Sequence, residues 1–276
     1  MLGQLSINGL DKVETAIKRL QTYEPPEGYY LCFSGGKDSV TIKGMADMAG
    51  VKYDAHYSVT SIDPPELVEF VKTFPDVALE FPRYRDGSVV TMWNLIPKKK
   101  MPPTRIARYC CEYFKEQHGG DRFTVMGVRW AESSKRQQNR GGLETSTTKT
   151  GRREKHDPDG QTADFIEWVK AQPIRTLNPI IDWTEADVWE FIRQNGLRYC
   201  HLYDEGYKRL GCIGCPMNTA AAADLKRYPK YRAAYIRAFE AMLAERERAG
   251  LGTNTSKFIE WTSGEAVMDW WLKRKG

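Results

Sequence analysis

The stretch that determines the fold of this chain runs over Tyr29–Phe33 (YYLCF), Ser34–Ser39 (SGGKDS) and Val40–Met48 (VTIKGMADM). An apolar run, a glycine-containing loop and a helix-like segment in this order predict a β-strand, a phosphate-binding loop and an α-helix. Gly35 and Gly36 let the backbone come close to phosphate oxygens, and the first N–H groups of the helix point at the anion.

The polar side chains of the same loop also suit an anion. Lys37 adds a positive charge, while Ser34 and Ser39 add hydroxyl donors. The spacing differs from the Walker A pattern, which places four residues between its first glycine and a Gly-Lys-Ser/Thr sequence. A Gly-Gly turn with a serine N-cap is the alternative interpretation of these six residues.

Strand-like and helix-like segments alternate after this loop. The predicted strands cover residues 53–59, 77–81 and 122–128, and the predicted helices cover residues 64–72, 88–95, 108–117, 185–194, 220–250 with a break at Tyr228-Pro229, and 264–272. The alternation predicts an α/β fold with a Rossmann-like parallel sheet. Ligands of such sheets bind beyond the carboxyl ends of the strands, where the Ser34–Ser39 loop lies. We predict one α/β nucleotide-binding domain over residues 1–217 and a helical C-terminal extension over residues 218–276 packed on it.

The composition is that of a globular protein, with 41% hydrophobic and 28% charged residues. No apolar run approaches the ~18–20 residues of a membrane span, and the N-terminus lacks a signal-peptide pattern. We therefore expect a cytoplasmic protein without a membrane partner. Six cysteines in a chain of this size do not make a disulfide scaffold.

The net positive charge of +5 is concentrated in residues 135–155. Seven basic residues stand there against two acids: Lys135, Arg136, Arg140, Lys149, Arg152, Arg153 and Lys155 against Glu144 and Glu154. Because this segment is rich in Gly, Ser and Thr and lacks apolar periodicity, we expect a mobile surface loop. Such a loop either follows a polyanion or is simply a solvated linker.

The cysteines form two pairs that are about a hundred residues apart. Cys110 and Cys111 are adjacent, and Cys212 and Cys215 form a C-x-x-C turn followed by Pro216. Four thiolates in two pairs suit an iron–sulfur cluster or a tetrahedral zinc ion. Adjacent cysteines fit a four-iron cube better, because their side chains diverge and the ligand positions of the cube are spread over several Å.

Five segments in register resemble the PAPS reductase-like branch of the PP-loop ATP pyrophosphatases, whose fold is of the adenine nucleotide alpha hydrolase-like type. The matching segments are Ser34–Ser39, Arg108–Lys115, Gly127–Ser133 with Arg136, Asn178–Trp189, and Leu202–Tyr207 running into Gly211-Cys212. The resemblance covers about residues 28–217. ATP pyrophosphatases of this kind split ATP between its α and β phosphates.

The resemblance implies a set of site residues. Residues Ser34, Gly35, Gly36, Lys37, Asp38 and Ser39 would bind ATP with Mg²⁺, and the Gly-x-Arg motif contributes Arg129. Lys37, Asp38 and Arg129 are the candidate catalytic residues, although Asp38 is equally suited to the N-terminus of a helix.

Two further parts of the site follow from the same argument. Arg129 and Arg136 have guanidinium groups that suit phosphate or sulfate, unless they form surface ion pairs with Glu132. In cluster-bearing members, the two cysteine pairs hold a [4Fe-4S] cluster beside the nucleotide. The resemblance therefore implies Cys110, Cys111, Cys212 and Cys215 as ligands.

The sequence departs from the sulfonucleotide reductases of this family in one respect. Those enzymes carry a catalytic cysteine near the C-terminus, whereas no cysteine follows Cys215 here. Residues 226–248 and Lys98–Pro103 instead resemble the ATP-pyrophosphatase components of DNA phosphorothioation systems and related phage proteins. That group implies a nucleic acid substrate and a cysteine desulfurase as the sulfur donor.

The alternative functions are an adenylylsulfate or phosphoadenylylsulfate reductase, a tRNA thiolase, and a non-enzymatic regulator that binds a nucleotide and DNA. The sequence leaves open which acceptor receives the sulfur and whether the chain forms a homodimer.

Overall fold

The computed structural model describes residues 11–116, 119–148, 151–252, 254–256 and 259–273. The chain divides into two compact units. Unit 1 contains residues 1–57, 66–79 and 119–210, and unit 2 contains residues 58–65, 80–118 and 211–276. Both units are discontinuous along the chain. The domain boundary after residue 217 stays a prediction.

The helices follow the predicted alternation closely. The α-helices are α1 Lys12–Tyr23, α2 Lys37–Ala49, α3 Pro65–Lys72, α4 Met92–Lys99, α5 Tyr109–Cys111, α6 Ser134–Asn139, α7 Ala163–Lys170, α8 Glu185–Gln194, α9 Ala221–Arg227, α10 Pro229–Arg248 and α11 Gly264–Lys273. A π-helical turn, Glu112–Glu116, follows α5 directly. No helix in the described ranges is long and apolar enough to cross a membrane.

The described strands form two sheets, the larger of which has seven strands. The strands are β1 Tyr29–Cys32, β2 Tyr53–Ser58, β3 Val77–Glu80, β4 Thr124–Val125, β5 Leu143–Ser146, β6 Glu154–His156, β7 Ile174–Leu177, β8 Asn254–Ser256 and β9 Ile259–Glu260. The order across the sheet is β3-β2-β1-β4-β7-β5-β6, while β8 and β9 form a separate two-stranded sheet. Strands β1, β2, β4 and β7 pair in parallel, which confirms the mainly parallel α/β sheet.

The order of the strands reverses at β1. The chain runs outward from β1 to β2 and then crosses back to place β4 on the other side of β1. In open sheets of this kind, the loops that leave the carboxyl ends of such neighbouring strands diverge and open a crevice for a ligand. The Ser34–Ser39 loop follows β1, and Gly127–Arg129 follows β4.

The expectation of a mobile loop over residues 135–155 is wrong for most of the segment. Helix α6 and the antiparallel strands β5 and β6 occupy much of it, and the two strands extend the sheet at one edge. The strand signal is hidden because β5 (LETS) is polar but fully buried. Glu144 in β5 pairs with Arg140 and Arg153, which compensates its buried charge. Lys149 of this segment lies outside the described residues.

Three other predicted elements differ in their bounds. The helix predicted over residues 88–95 begins four residues later, because Thr91 and Asn94 form a reciprocal capping box at the start of α4. The helix predicted over residues 108–117 consists of α5 and the π-helical turn, and Gln117 lies outside the described residues. The strand predicted over residues 122–128 is reduced to the two residues of β4.

Unit 2 has an apolar core of its own. Helix α10 packs against α4 and α11, and Tyr235 and Phe239 of α10 are buried with Trp271 of α11. The Trp271 indole N–H donates to the carbonyl of Pro103 at 2.6 Å. Val267 of α11 is also buried in this core.

A buried arginine holds helix α1 against other segments of unit 1. Arg19 is only 5% exposed, and its guanidinium contacts Asp159 at 2.6 Å and Asp182 at 3.0 Å. It also donates to the carbonyl of Pro179 at 2.8 Å. Losing some of these partners would leave a buried charge without compensation, which is costly. The network therefore fixes α1 against the segment that follows β7.

We predict that Arg19→Ala lowers the free energy of unfolding by about 3 kcal/mol, because Asp182 then remains partly buried without its cation. Lys18→Ala is the matched control: Lys18 is exposed on the same helix, and its loss should change stability by less than about 0.5 kcal/mol. Urea titration followed by circular dichroism measures both changes. Equal stability of the two variants would contradict the role of Arg19.

Candidate active site

The loop after β1 has the geometry of a phosphate cradle. Gly35 has a φ of +72°, and a Cβ there would lie 2.7 Å from Leu67 and Val71, so only glycine fits. Gly36 is the N-cap of α2, and no side chain caps this end of the helix. The alternative interpretation, in which a serine side chain caps the helix, is therefore wrong. Neither Ser34 nor Asp38 caps the start of α2 with its side chain.

The two serines stabilise the loop from within. The Ser39 hydroxyl donates to the carbonyl of Gly36 at 2.8 Å, and the hydroxyls of Ser34 and Ser39 are 3.2 Å apart. These short-range contacts fix the curvature of the loop.

Lys37 brings a buried cation to the first turn of α2. The residue is 4% exposed, and its Nζ lies 3.3 Å from Glu185 Oε1 and 3.5 Å from Asp38 Oδ2. Nζ also donates to the carbonyl of Lys208 at 3.3 Å. The backbone N–H of Lys37 donates to the Tyr203 hydroxyl at 2.9 Å. An anion at this helix end would compete with the same groups for the ammonium and the N–H.

Arg129 supplies a second buried cation to the same carboxylates. It is 2% exposed and follows β4, with its Nε 2.7 Å from Asp38 Oδ1 and its Nη2 2.9 Å from Glu185 Oε2. Its Nη1 donates to the carbonyl of Trp183 at 3.3 Å. Burial acts to lower the pKa of Arg129, but Asp38 and Glu185 outweigh it and raise the pKa above its ordinary value. The structure thus brings Lys37, Asp38 and Arg129 together.

Arg136 lies apart from this network. Its guanidinium pairs with Glu132, whose carboxylate also accepts the backbone N–H of Arg129 at 3.1 Å. Burial lowers the pKa of Arg136. For Arg136 the ion pair with Glu132 is therefore the arrangement observed, whereas the Arg129 guanidinium contacts other carboxylates.

Three residues of this network had no role assigned from the sequence. Glu185 bridges Lys37 and Arg129, Tyr203 accepts the Lys37 N–H, and Gly127 packs on the backbone of Asp38, where a Cβ would lie 2.9 Å from the Asp38 carbonyl oxygen. Each lies in a matching sequence segment, but only the tertiary fold shows what it contacts. The sequence feature that could have indicated a role for Glu185 is its position one residue after Thr184, the N-cap of α8.

The four candidate cysteine ligands all belong to unit 2. Cys110 and Cys111 lie in α5, and Cys212 and Cys215 lie in a turn in which the Cys215 N–H donates to the Cys212 carbonyl at 3.2 Å. Buried Ile213 anchors the turn: its N–H donates to the Ile62 carbonyl at 2.8 Å, and its carbonyl accepts the Tyr235 hydroxyl at 3.0 Å.

The cysteines are electrostatically coupled and lie near two cations. A hydrogen bond from Cys110, helped by Arg108, lowers the pKa of Cys111 below its ordinary value, while burial raises the pKa of Cys212 to about 12. Arg108 Nη2 lies 3.5 Å from Cys111 Sγ. Cys212 is the main cause of the raised pKa of Lys115, with smaller contributions from Asp63 and the other thiols.

The donor set fits an anionic thiolate-ligated cluster, because four sulfur atoms and two nearby cations belong to one unit. Among the described residues, however, no group of three or more His, Cys, Asp or Glu side chains is arranged to hold a metal ion. The cysteines are thus associated without forming a closed site for a single ion.

Comparison with known proteins agrees with this arrangement of motifs. A sequence profile of the phosphoadenosine phosphosulfate reductase domain matches residues 28–218. An adenosine 5′-phosphosulfate reductase of Oceanobacillus iheyensis is 35% identical over 208 residues, covering 71% of this chain and 73% of that protein. An uncharacterized protein of Methanocaldococcus jannaschii is 29% identical over 199 residues, covering 67% of this chain and 40% of that protein.

A shorter match was also found. An adenosine 5′-phosphosulfate reductase of Neisseria meningitidis is 34% identical over 77 residues, covering 28% of this chain and 32% of that protein. This chain therefore spans well under half of the length of some relatives.

Among solved structures, the phosphoadenylyl-sulfate reductase of Candida auris gives a TM-score of 0.48 at 16% identity, covering 76% of this chain and 96% of that one. A U34-tRNA thiolase of Methanococcus maripaludis, solved with its [4Fe-4S] cluster, gives 0.44 at 11% identity and covers 93% and 87% of the two chains. The profile match over more than half of the sequence, with the phosphate-loop motif after β1 inside it, establishes that this chain belongs to the phosphoadenosine phosphosulfate reductase domain family.

Proposed function

We propose that this protein is an ATP pyrophosphatase that activates a nucleic acid phosphate for sulfur insertion, and that the reaction is DNA phosphorothioate modification. The observation that supports the proposal is the pair of buried cations at the carboxyl ends of β1 and β4. Lys37 and Arg129 are both held by Asp38 and Glu185, so that two positive charges are fixed in place beside a helix N-terminus.

ATP binding would change the interaction partners of Lys37 and of the N–H groups at the start of α2. The triphosphate takes up the N–H groups of the first turn of α2, and Lys37 moves its interaction from the Glu185 carboxylate to phosphate oxygens. Arg129 keeps Asp38 in position. The Asp38 carboxylate is of the oxygen-donor type that the Mg²⁺ accompanying ATP prefers.

The proposed reaction has two displacements. An oxygen of the acceptor phosphate attacks the α-phosphorus of ATP, the α–β phosphoanhydride bond breaks, and pyrophosphate leaves with the electron pair. Sulfur at the oxidation level of sulfide then attacks the activated acceptor phosphorus and AMP leaves. Sulfur delivered as a persulfide by a cysteine desulfurase needs two further electrons from a thiol. Lys37 and the α2 N–H groups stabilise the charge that develops on the phosphate oxygens.

The four clustered cysteines are proposed to hold a [4Fe-4S] cluster. Such a cluster, when bound, can carry electrons or tune sulfur chemistry. The protein's own contribution is to supply four thiolates from two rigidly anchored segments, and to offset their negative charge with Arg108 and Lys115.

Adenylylsulfate reduction is the second candidate, because relatives that are 34% and 35% identical have that name. That reaction, as the resemblance describes it, needs a nucleophilic thiolate that does not bind the cluster. Only Cys32 and Cys200 remain for this role among the six cysteines. Cys32 lies in strand β1, and Cys200 is 1% exposed, with a pKa that burial raises. Burial makes Cys200 unsuited to the role of attacking thiolate, which counts against this candidate.

Arg129→Lys is predicted to lower kcat/KM for pyrophosphate release from ATP by about 100-fold, or about 2.7 kcal/mol in activation free energy. A lysine cannot contact Asp38, Glu185 and the Trp183 carbonyl at once, so Asp38 and Lys37 lose their alignment. Lys37→Met should cause a loss at least as large, since it removes the cation itself.

Arg193→Lys is the matched control for Arg129→Lys. Arg193 is exposed on α8, the helix that carries Glu185, and its replacement should leave kcat/KM within about twofold. A pyrophosphate coupled-enzyme assay measures all three variants. Activity of Arg129→Lys close to that of the control would contradict the proposed site.

We also predict that Cys111→Ser and Cys215→Ser each lose most of the iron and the broad absorption near ~400 nm that a cubane cluster gives. Cys200→Ala is the control and should retain about four irons per chain, since Cys200 belongs to unit 1. Iron analysis and visible spectra of anaerobically purified protein test this. Zinc in place of iron, or iron unchanged in both serine variants, would contradict the cluster.

A further inference from the structure

The chain has two segments rich in basic residues, and their charges are used differently. In residues 134–155 of unit 1, Arg140 and Arg153 pair with Glu144, Arg136 pairs with Glu132, and Lys155 donates to a backbone carbonyl at 2.6 Å. Three of its seven basic residues, Arg136, Arg140 and Arg153, are therefore paired with carboxylates.

The second basic segment covers residues 83–115 and belongs entirely to unit 2. It contains eight basic residues against two acids: Arg83, Arg85, Lys98, Lys99, Lys100, Arg105, Arg108 and Lys115 against Asp86 and Glu112. Asp86 is held in its own turn, where it accepts the N–H and hydroxyl of Ser88. The segment thus keeps a strong excess of positive charge.

Lys98 and Lys99 near the end of α4 contact aromatic rings, and the charge of Lys98 also acts on Asp86. Lys98 Nζ lies 3.5 Å from the centroid of the Tyr84 ring, and Lys99 Nζ lies 4.9 Å from that of Tyr113. The two tyrosine rings meet edge to face at 6.0 Å. A neutral ring orients an ammonium group without cancelling its charge, so the charge stays available to a ligand.

Exposed residues continue this surface toward the cysteine pair. Lys98 and Arg105 are exposed, and Ile106 is 94% exposed. Tyr113 follows Cys111 by two residues, and Arg108 contacts the Cys111 sulfur. Arg108 thus contacts the candidate ligand Cys111, and exposed Arg105 and Ile106 precede it closely in the chain.

We propose that this surface, formed by residues 83–85, 98–106 and Tyr113, binds a DNA strand. The lysines and arginines would contact the phosphates, while the tyrosine rings and Ile106 present flat or apolar surfaces to the bases. The inference rests on the proposed function and locates its nucleic acid on unit 2 rather than on the basic segment of unit 1.

The test compares two variants that each remove two positive charges. Lys98→Gln/Arg105→Gln changes exposed residues of the proposed surface, and Lys135→Gln/Arg152→Gln changes exposed residues of the other basic segment. Fluorescence anisotropy with a labelled single-stranded DNA of about 20 nucleotides measures Kd over a series of salt concentrations. The first variant should bind about tenfold or more weakly, with a log Kd–log salt slope reduced by roughly 1 to 2. The control should stay within about threefold.

Three further readouts separate the outcomes. Lys98→Arg/Arg105→Lys keeps both charges and should bind as the unchanged protein does. Equal weakening in the two glutamine variants, or a larger loss in the control, would overturn the location of the surface. Tighter binding of an RNA of the same sequence would overturn the assignment to DNA. Pyrophosphate release from ATP in the presence of saturating DNA is measured in parallel: its absence in the unchanged protein contradicts the proposed function, whereas intact release together with unaltered DNA binding in the first glutamine variant contradicts only this surface.

Discussion

The candidate active site depends on one shared ion-pair network, in which the guanidinium of Arg129 holds Asp38 with one edge and Glu185 with the other. These contacts join the start of α2, the end of β4 and the start of α8. Since Arg129 is almost fully buried, its charge must be matched by partners in fixed positions. The network therefore fixes the phosphate loop and the Lys37 ammonium in one geometry before any ligand arrives, which reduces the cost of ordering them on binding.

In unit 2, hydrogen bonds within the unit likewise hold a cysteine-containing segment in position. The C-x-x-C turn is anchored through the backbone of buried Ile213, and the Cys-Cys pair lies in a short helix followed by a π-helical turn. The sulfur atoms have polar contacts of their own, such as that of Arg108 with Cys111. The four cysteines are partly buried and electrostatically coupled, and the cluster proposed for them would use this arrangement. Sites of this kind are stabilised by the group that they hold.

Local patterns in the sequence predicted a large part of this fold. The strand–loop–helix at Tyr29–Met48, the alternation of strands and helices, and the helix over residues 185–194 are confirmed, because each depends on residues close in the chain. Strand β5 was not predicted, since its buried Glu144 reads as a solvent-exposed charge until Arg140 and Arg153 are seen beside it. The two discontinuous units, and the roles of Glu185 and Tyr203, depend on contacts between distant segments. The cysteine ligands, the ATP site and the nucleic acid partner stay predictions.

The most direct test of the central claim identifies the bond in ATP that the protein breaks. Anaerobically purified protein is incubated with ATP, Mg²⁺, single-stranded DNA and sulfide, and the products are identified by ³¹P NMR beside a parallel reaction with adenylylsulfate and a dithiol. The account predicts AMP and pyrophosphate from ATP, and no sulfite from adenylylsulfate. Formation of ADP and inorganic phosphate, or release of sulfite, would contradict it.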